Sequence, residues 1–136
     1  MESSLSKSGF GNRRIKWLVS ETTEEWLKQA MSNPLEILID HAHCERKAAG
    51  FALQMMFRYL DDPALSEVLS PLVREELEHF ERVLAILHSR GQNLIPLPAP
   101  PYGEKLAKNI RKKEPERKLD SLLVAGLIEA RSHERM

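Results

Sequence analysis

Glu76 and His79 lie three residues apart in a stretch whose apolar residues recur at helical spacing, which puts a carboxylate and an imidazole side by side on one helix face. Stepping by three and four, the row reads Leu65, Leu69, Leu72, Glu76, His79, Val83, Ile86, so both polar groups occupy places where leucine is expected. Two more rows carry the same kind of intrusion. One is Leu35, Leu38, Ala42, Glu45, Ala49, Ala52, Met56, and the other is Leu119, Leu122, Gly126, Glu129, His133, Met136. An inward carboxylate without a partner costs several kcal/mol, and three of them converging would be intolerable unless cations compensate them. Carboxylates with imidazole suit iron or manganese. Any one of these residues could be satisfied by a neighbour, Glu45 by Arg74 or His79 by a backbone carbonyl. Three on independent rows point to a shared metal site. Glu75 and Glu78 fall off the row and read as solvated. Cys44 reads as a packing residue.

The elements that must hold these groups are all helical, because no stretch alternates as a strand would. Thr22 with Glu25 makes a capping box for a short helix reaching about Met31. Asn33 and Pro34 open a second helix that runs to about Leu60. Asp62 and Pro63 start a third, which ends near Arg90 and Gly91 and is expected to kink at Pro71. Residues 92–103 hold four prolines and read as an extended connector. A basic helix from Glu104 to Lys113 and a last helix opened by Pro115 complete the chain, the latter still in pattern at Met136. The predicted fold is therefore all-α: a polar segment over residues 1–21, then a helical domain over 22–136.

The 136 residues carry 42% hydrophobic residues, enough for one core. Lys plus Arg and Asp plus Glu number 20 each, so polyanion binding would have to come from local patches. Lys105, Lys108, Arg111, Lys112 and Lys113 form one, and Arg13, Arg14 and Lys16 another. The first sixteen residues lack the apolar run of an export signal, and no stretch reaches membrane-spanning length. The single cysteine fits a reducing cytoplasm.

Three blocks carry a family likeness: Asp-His-Ala-His-Cys-Glu-Arg-Lys-Ala-Ala at 40–49, Arg-Glu-Glu-Leu-Glu-His-Phe-Glu-Arg-Val-Leu at 74–84, and Leu-Ile-Glu-Ala-Arg-Ser-His-Glu-Arg at 127–135. From about Trp26 onward the chain resembles the bacterial tRNA 2-methylthio-N6-isopentenyladenosine hydroxylases. The resemblance implies a ferritin-like bundle with two iron ions, in which Glu45 is a terminal ligand, Glu76 a bridging ligand, His79 its imidazole partner and Glu129 a ligand of the second iron. It implies dioxygen as co-substrate, electrons from an external donor, and tRNA as the partner, with hydroxylation of the isopentenyl side chain beside the anticodon. His41 and His133, each one turn from a ligand, are candidates to support the ligands without binding metal.

Relatives of this type carry a fourth core helix with a second Glu-x-x-His, which would take on the order of 30 more residues at about 1.5 Å each. The expectation is thus a bundle lacking that helix, as in a C-terminally truncated chain. Other readings stay open at this stage. The chain could be an inactive fragment, a helical interaction module without metal, or half of a homodimer in which two copies each supply Glu45, Glu76 and His79 to an iron-binding assembly without RNA-modifying activity.

Overall fold

Proline in the first turn opens both long helices, with aspartate capping the second of them, whereas Asn33, expected to cap the helix opened by Pro34, makes no side-chain cap and instead donates back to the Gln29 carbonyl at 2.9 Å. The computed structural model describes residues 18–135 and contains, among them, five helices and no strand. Helix α1 spans Glu24–Ser32, α2 Pro34–Arg58, α3 Pro63–Ser89, α4 Pro101–Ala107 and α5 Glu116–Arg135. At α3, Asp62 accepts a hydrogen bond from the Leu65 amide at 3.1 Å, while Pro63 fills the first-turn position that needs no N–H. The same helix ends where Gly91 adopts φ 70°, a left-handed conformation that lets the Gln92 amide fold back onto the Leu87 carbonyl at 3.0 Å. Pro71 does not split α3. Its exposed position leaves the freed carbonyl to solvent, so one helix persists from Pro63 to Ser89.

Two local expectations need correction. Thr23, not Thr22, caps α1, accepting from the Trp26 amide at 3.2 Å, and the Thr22 amide instead donates to Glu134 at 2.6 Å. The basic helix expected at 104–113 begins at Pro101 and stops at Ala107, because Pro101 offers a first-turn residue three places earlier. Residues 111–113 then lie outside any helix, and the Arg111 side chain and amide close onto Asp120.

Helices α2 and α3 form an antiparallel hairpin with two apolar clusters. Ile39, Ala42, Val83 and Leu87 fill one end, closed by Leu94 and Leu97 of the connector. Ala52, Met55, Tyr59 and Leu69 fill the other, where Leu122 of α5 also packs. Helix α5 therefore runs antiparallel to α2. The buried row falls one residue from the expected one at several places: Ile39 rather than Leu38, Met55 rather than Met56, Leu87 rather than Ile86. A 3.6-residue repeat allows either neighbour, and the tilt of the partner helix chooses.

Chain segments at either end of α5 are clamped. Arg131, buried, donates to the Ser20 carbonyl at 2.8 Å and to the Ser20 hydroxyl at 3.0 Å, and its other nitrogen bonds Glu134 at 2.9 Å. Leu18 is buried too, so the chain is already packed at residue 18, inside the stretch expected to be a polar tail up to residue 21. Arg13, Arg14 and Lys16 lie outside the described residues. At the opposite end of α5, Lys118 bonds Asp62 and sits 5.1 Å from the centre of the Tyr59 ring. None of the described helices is long and apolar enough to cross a membrane.

Candidate metal centre

Between the two apolar clusters of the hairpin, the facing residues are polar. Glu45 comes from the middle of α2 and Glu76 and His79 from the middle of α3, and one ligand atom from each lies within 4.8 Å of the other two. His79 Nδ1 is 3.7 Å from Glu45 Oε2, and His41 Nε2 is 3.0 Å from Glu45 Oε1. Glu45 therefore turns one oxygen to each histidine, and Arg74, the partner considered from the sequence, is not needed. Glu75 and Glu78 are exposed, the latter paired with Arg82 at 2.5 Å.

Glu76 is 7% exposed, and its Oε2 is buried with no hydrogen-bond partner. Burial, then the hydrogen bond and negative charge of Glu45, push its carboxyl up to about 7, with His79 pulling the other way. Burial lowers the imidazolium of His41, helped by the charge of His79. Glu129, on α5, faces the same space. Burial and the Glu76 charge raise its carboxyl, and His79 and His133 oppose that rise.

These groups line a cleft of about 410 Å³ together with His133, Arg82, Val83 and Ser132. Of the residues expected to carry the chemistry, the structure brings Glu45, Glu76 and His79 into one tight cluster. It sets Glu129 and His133 across the cleft from them, and both are exposed at its rim. His41 bonds Glu45 rather than standing free. Arg82 was not singled out from the sequence, though it continues the row one turn beyond His79.

The donor set fits a divalent cation. An orphaned buried carboxylate oxygen facing a second carboxylate and an imidazole is the arrangement that a cation of the iron or manganese type would satisfy, replacing the proton that the weakened acidity of Glu76 otherwise retains. The cluster is a candidate metal site.

Of the basic residues, Lys105, Lys108, Lys112 and Lys113 are exposed. Arg111 is not free: its amide, Nε and Nη2 all bond the Asp120 carboxylate at 2.8–2.9 Å, which holds that carboxyl down at about 2. His43 anchors the connector by a 2.7 Å bond with the Ile95 carbonyl. Cys44 is half-buried, its thiol pushed up to about 11 by burial and by Asp40, so it is an unreactive packing group beside Ser132.

Residues 11–136 match the family model for tRNA-(MS[2]IO[6]A)-hydroxylase, MiaE. A tRNA 2-(methylsulfanyl)-N(6)-isopentenyladenosine(37) hydroxylase of Pseudomonas putida is 40% identical over 114 residues, covering 84% of this chain and 56% of the relative. The Salmonella typhimurium protein of the same name is 27% identical over 171 residues, covering 89% of this chain and 63% of the relative. The chain thus spans a little over half the length of these curated relatives. A solved structure described as protein 43 with aldehyde deformylating oxygenase activity, from Synechococcus, superposes with a TM-score of 0.86. It is 67% identical, with 89% of this chain and 60% of that one covered.

Proposed function

Because this chain belongs to the MiaE family of tRNA hydroxylases, we propose that its cleft is the centre of a di-iron oxygenase that hydroxylates the isopentenyl side chain of the hypermodified adenosine beside the tRNA anticodon. The single observation that supports this most is Glu76 Oε2, a buried oxygen with no protein partner, on a residue that lines a cleft with Glu45 and His79. Glu45, Glu76, His79 and Glu129 would hold the metal, and the bound iron pair would supply activation of dioxygen. One oxygen atom enters a carbon–hydrogen bond and the other leaves as water, so an external electron donor is required. The chain's own contribution is placement. His41 fixes one oxygen of Glu45 and leaves the other for the cluster, and the apolar clusters above and below keep the floor of the site dry.

For the substrate, Val83 lends the cleft wall an apolar side chain, and Leu72 and Ile86, beyond the cleft lining at either end of the α3 row and 38% and 42% exposed, offer apolar surface suited to a prenyl group. Lys105, Lys108, Lys112 and Lys113 are available for phosphates, and action on tRNA implies a cytoplasmic site of work. The test is incubation of the iron-loaded protein, a reductant and dioxygen with tRNA bearing the prenylated adenosine. Nucleoside mass spectrometry should show one added oxygen atom, and an unchanged nucleoside would refute the assignment.

The Synechococcus structure supports a second reading, in which the same centre acts on an aldehyde and removes its formyl carbon. Presenting both substrates to one preparation separates the two: oxidised nucleoside without aldehyde consumption favours the first, and the reverse pattern the second.

A further inference from the structure

Glu45 to Arg46 and Glu76 to Leu77 are single-residue steps, each a turn of about 100° around its helix. Because α2 and α3 run antiparallel, both turns lead to the same side of the hairpin, away from the cleft that His41, Glu45, Glu76 and His79 line. On that side α2 presents a row from Ile39 through His43, Arg46, Gly50, Leu53 and Phe57, ending at Leu60. The connector covers its first part: Leu94 and Leu97 pack on the cluster that holds Ile39, and the Ile95 carbonyl bonds His43. From Gly50 onward the row is open among the described residues. Leu53, Phe57 and Leu60 are 43%, 71% and 79% exposed, and Leu77 of α3 is 44% exposed. A Cβ added at Gly50 would meet no atom within 4 Å, so the strip begins on open ground where the connector leaves it.

The strip is bordered by cations. Arg46, Lys47 and Arg58 on α2 and Arg74 on α3 are exposed, and none of them enters an ion pair among the described residues. The acidic neighbours are Asp61 and Glu81 at its ends and Glu78, which is paired with Arg82. Leucines around an exposed phenylalanine, with arginine at the rim, are what a protein partner's surface meets, and the unspent positive charge selects an acidic one. A tRNA reaching the cleft approaches from the other side of the hairpin, so both can be bound together. We propose that this strip docks the electron donor, an acidic protein whose apolar contact surface seats Leu53 and Phe57 between the basic groups. The inference rests on the reading of the cleft as an oxygenase centre, and adds the place and the charge of the donor. A donor touching Leu77 stands one residue along α3 from Glu76, on the helices that carry the cluster.

An acidic plant-type ferredoxin is the probe. Calorimetry with the metal-free chain should show binding that weakens as salt rises, and Phe57→Asp and Arg46→Glu, both at exposed positions, should each weaken it about tenfold or more with circular dichroism unchanged. Lys28→Glu, on α1, should bind ferredoxin as the wild type does. In the iron-loaded protein, reduction by ferredoxin should slow in the two strip variants while dithionite reduces them and the wild type equally. No ferredoxin binding by the wild type, or full binding by both strip variants, would overturn the proposal. So would strip variants that instead lose tRNA affinity, or that turn a dimer into a monomer in sedimentation, which would give the strip to RNA or to a second copy. Ferredoxin binding that depends on the strip, with no oxidised nucleoside, would uphold the docking surface and refute the hydroxylase reading alone.

Discussion

Two faces of α5 treat charge in opposite ways. On one, charged groups have partners: Lys118 bonds Asp62, Asp120 takes three hydrogen bonds from Arg111, Arg131 bonds Glu134, and Glu114 just ahead of the helix accepts from Tyr59 at 2.6 Å. On the other, Glu129 and His133 line a cleft in which a buried oxygen of Glu76 has none. Paired charges fasten the helix to the hairpin. The unpaired ones stand where pairing would spoil the site, so the difference between satisfied and unsatisfied groups separates scaffold from chemistry on one continuous element.

The largest effect should come from the unsatisfied group in the cleft. Glu76→Gln keeps the shape but removes the charge at the shared ligand, and should weaken metal binding by about a hundredfold or more without loss of the metal-free fold, as measured by calorimetry beside circular dichroism. Next in size is Arg131→Ala, which strips the Ser20 carbonyl and Glu134 of their buried donor. It should cost about 1–3 kcal/mol in denaturant unfolding, because a buried side chain loses its packing together with charge-assisted hydrogen bonds to Ser20 and Glu134. Metal affinity should barely change, since Arg131 faces residues 18–22 rather than the cluster.

The pH dependence of the metal-free protein is a smaller effect and sharper in its meaning. The Glu76 carboxyl is raised from its ordinary 4.5 to about 7, so the native state holds that proton more tightly than the unfolded chain does. Its contribution to stability is complete below about 4.5 and is lost as pH rises through about 7. The melting temperature should therefore fall by several degrees across that window, and Glu76→Gln should flatten the profile; a rise instead would mean that the carboxylate is charged and satisfied. Smallest of all, Lys108→Glu with Lys112→Glu should weaken tRNA binding severalfold, more so at low salt, with melting temperature unmoved. Arg111 is the wrong target for that test, because its reversal would break the Asp120 staple and mix stability with binding.

Helix count, order and most boundaries were legible because the local chemistry that sets them is short-range. Pro34, the Asp62–Pro63 pair and Gly91 each act within a turn of themselves. The tight cluster was legible for a related reason: Glu45, Glu76 and His79 interrupt apolar rows, and a row's interruptions can be read without knowing what faces it. Everything that depended on a distant partner was not. Arg111 looked like a free cation until Asp120, nine residues on, folded back to meet it, and the basic helix was expected to run through it. Arg131 and Thr22 gave no sign of each other because more than a hundred residues separate them. The one-residue shift of the buried rows follows from the tilt between facing helices, which periodicity does not encode.

The most direct test of the account is diffraction from crystals soaked in manganese(II), with data collected for anomalous signal. The account predicts a peak bonded to Glu76 with Glu45 and His79 as co-ligands. A map without density there, in crystals that take up the ion elsewhere, would contradict it.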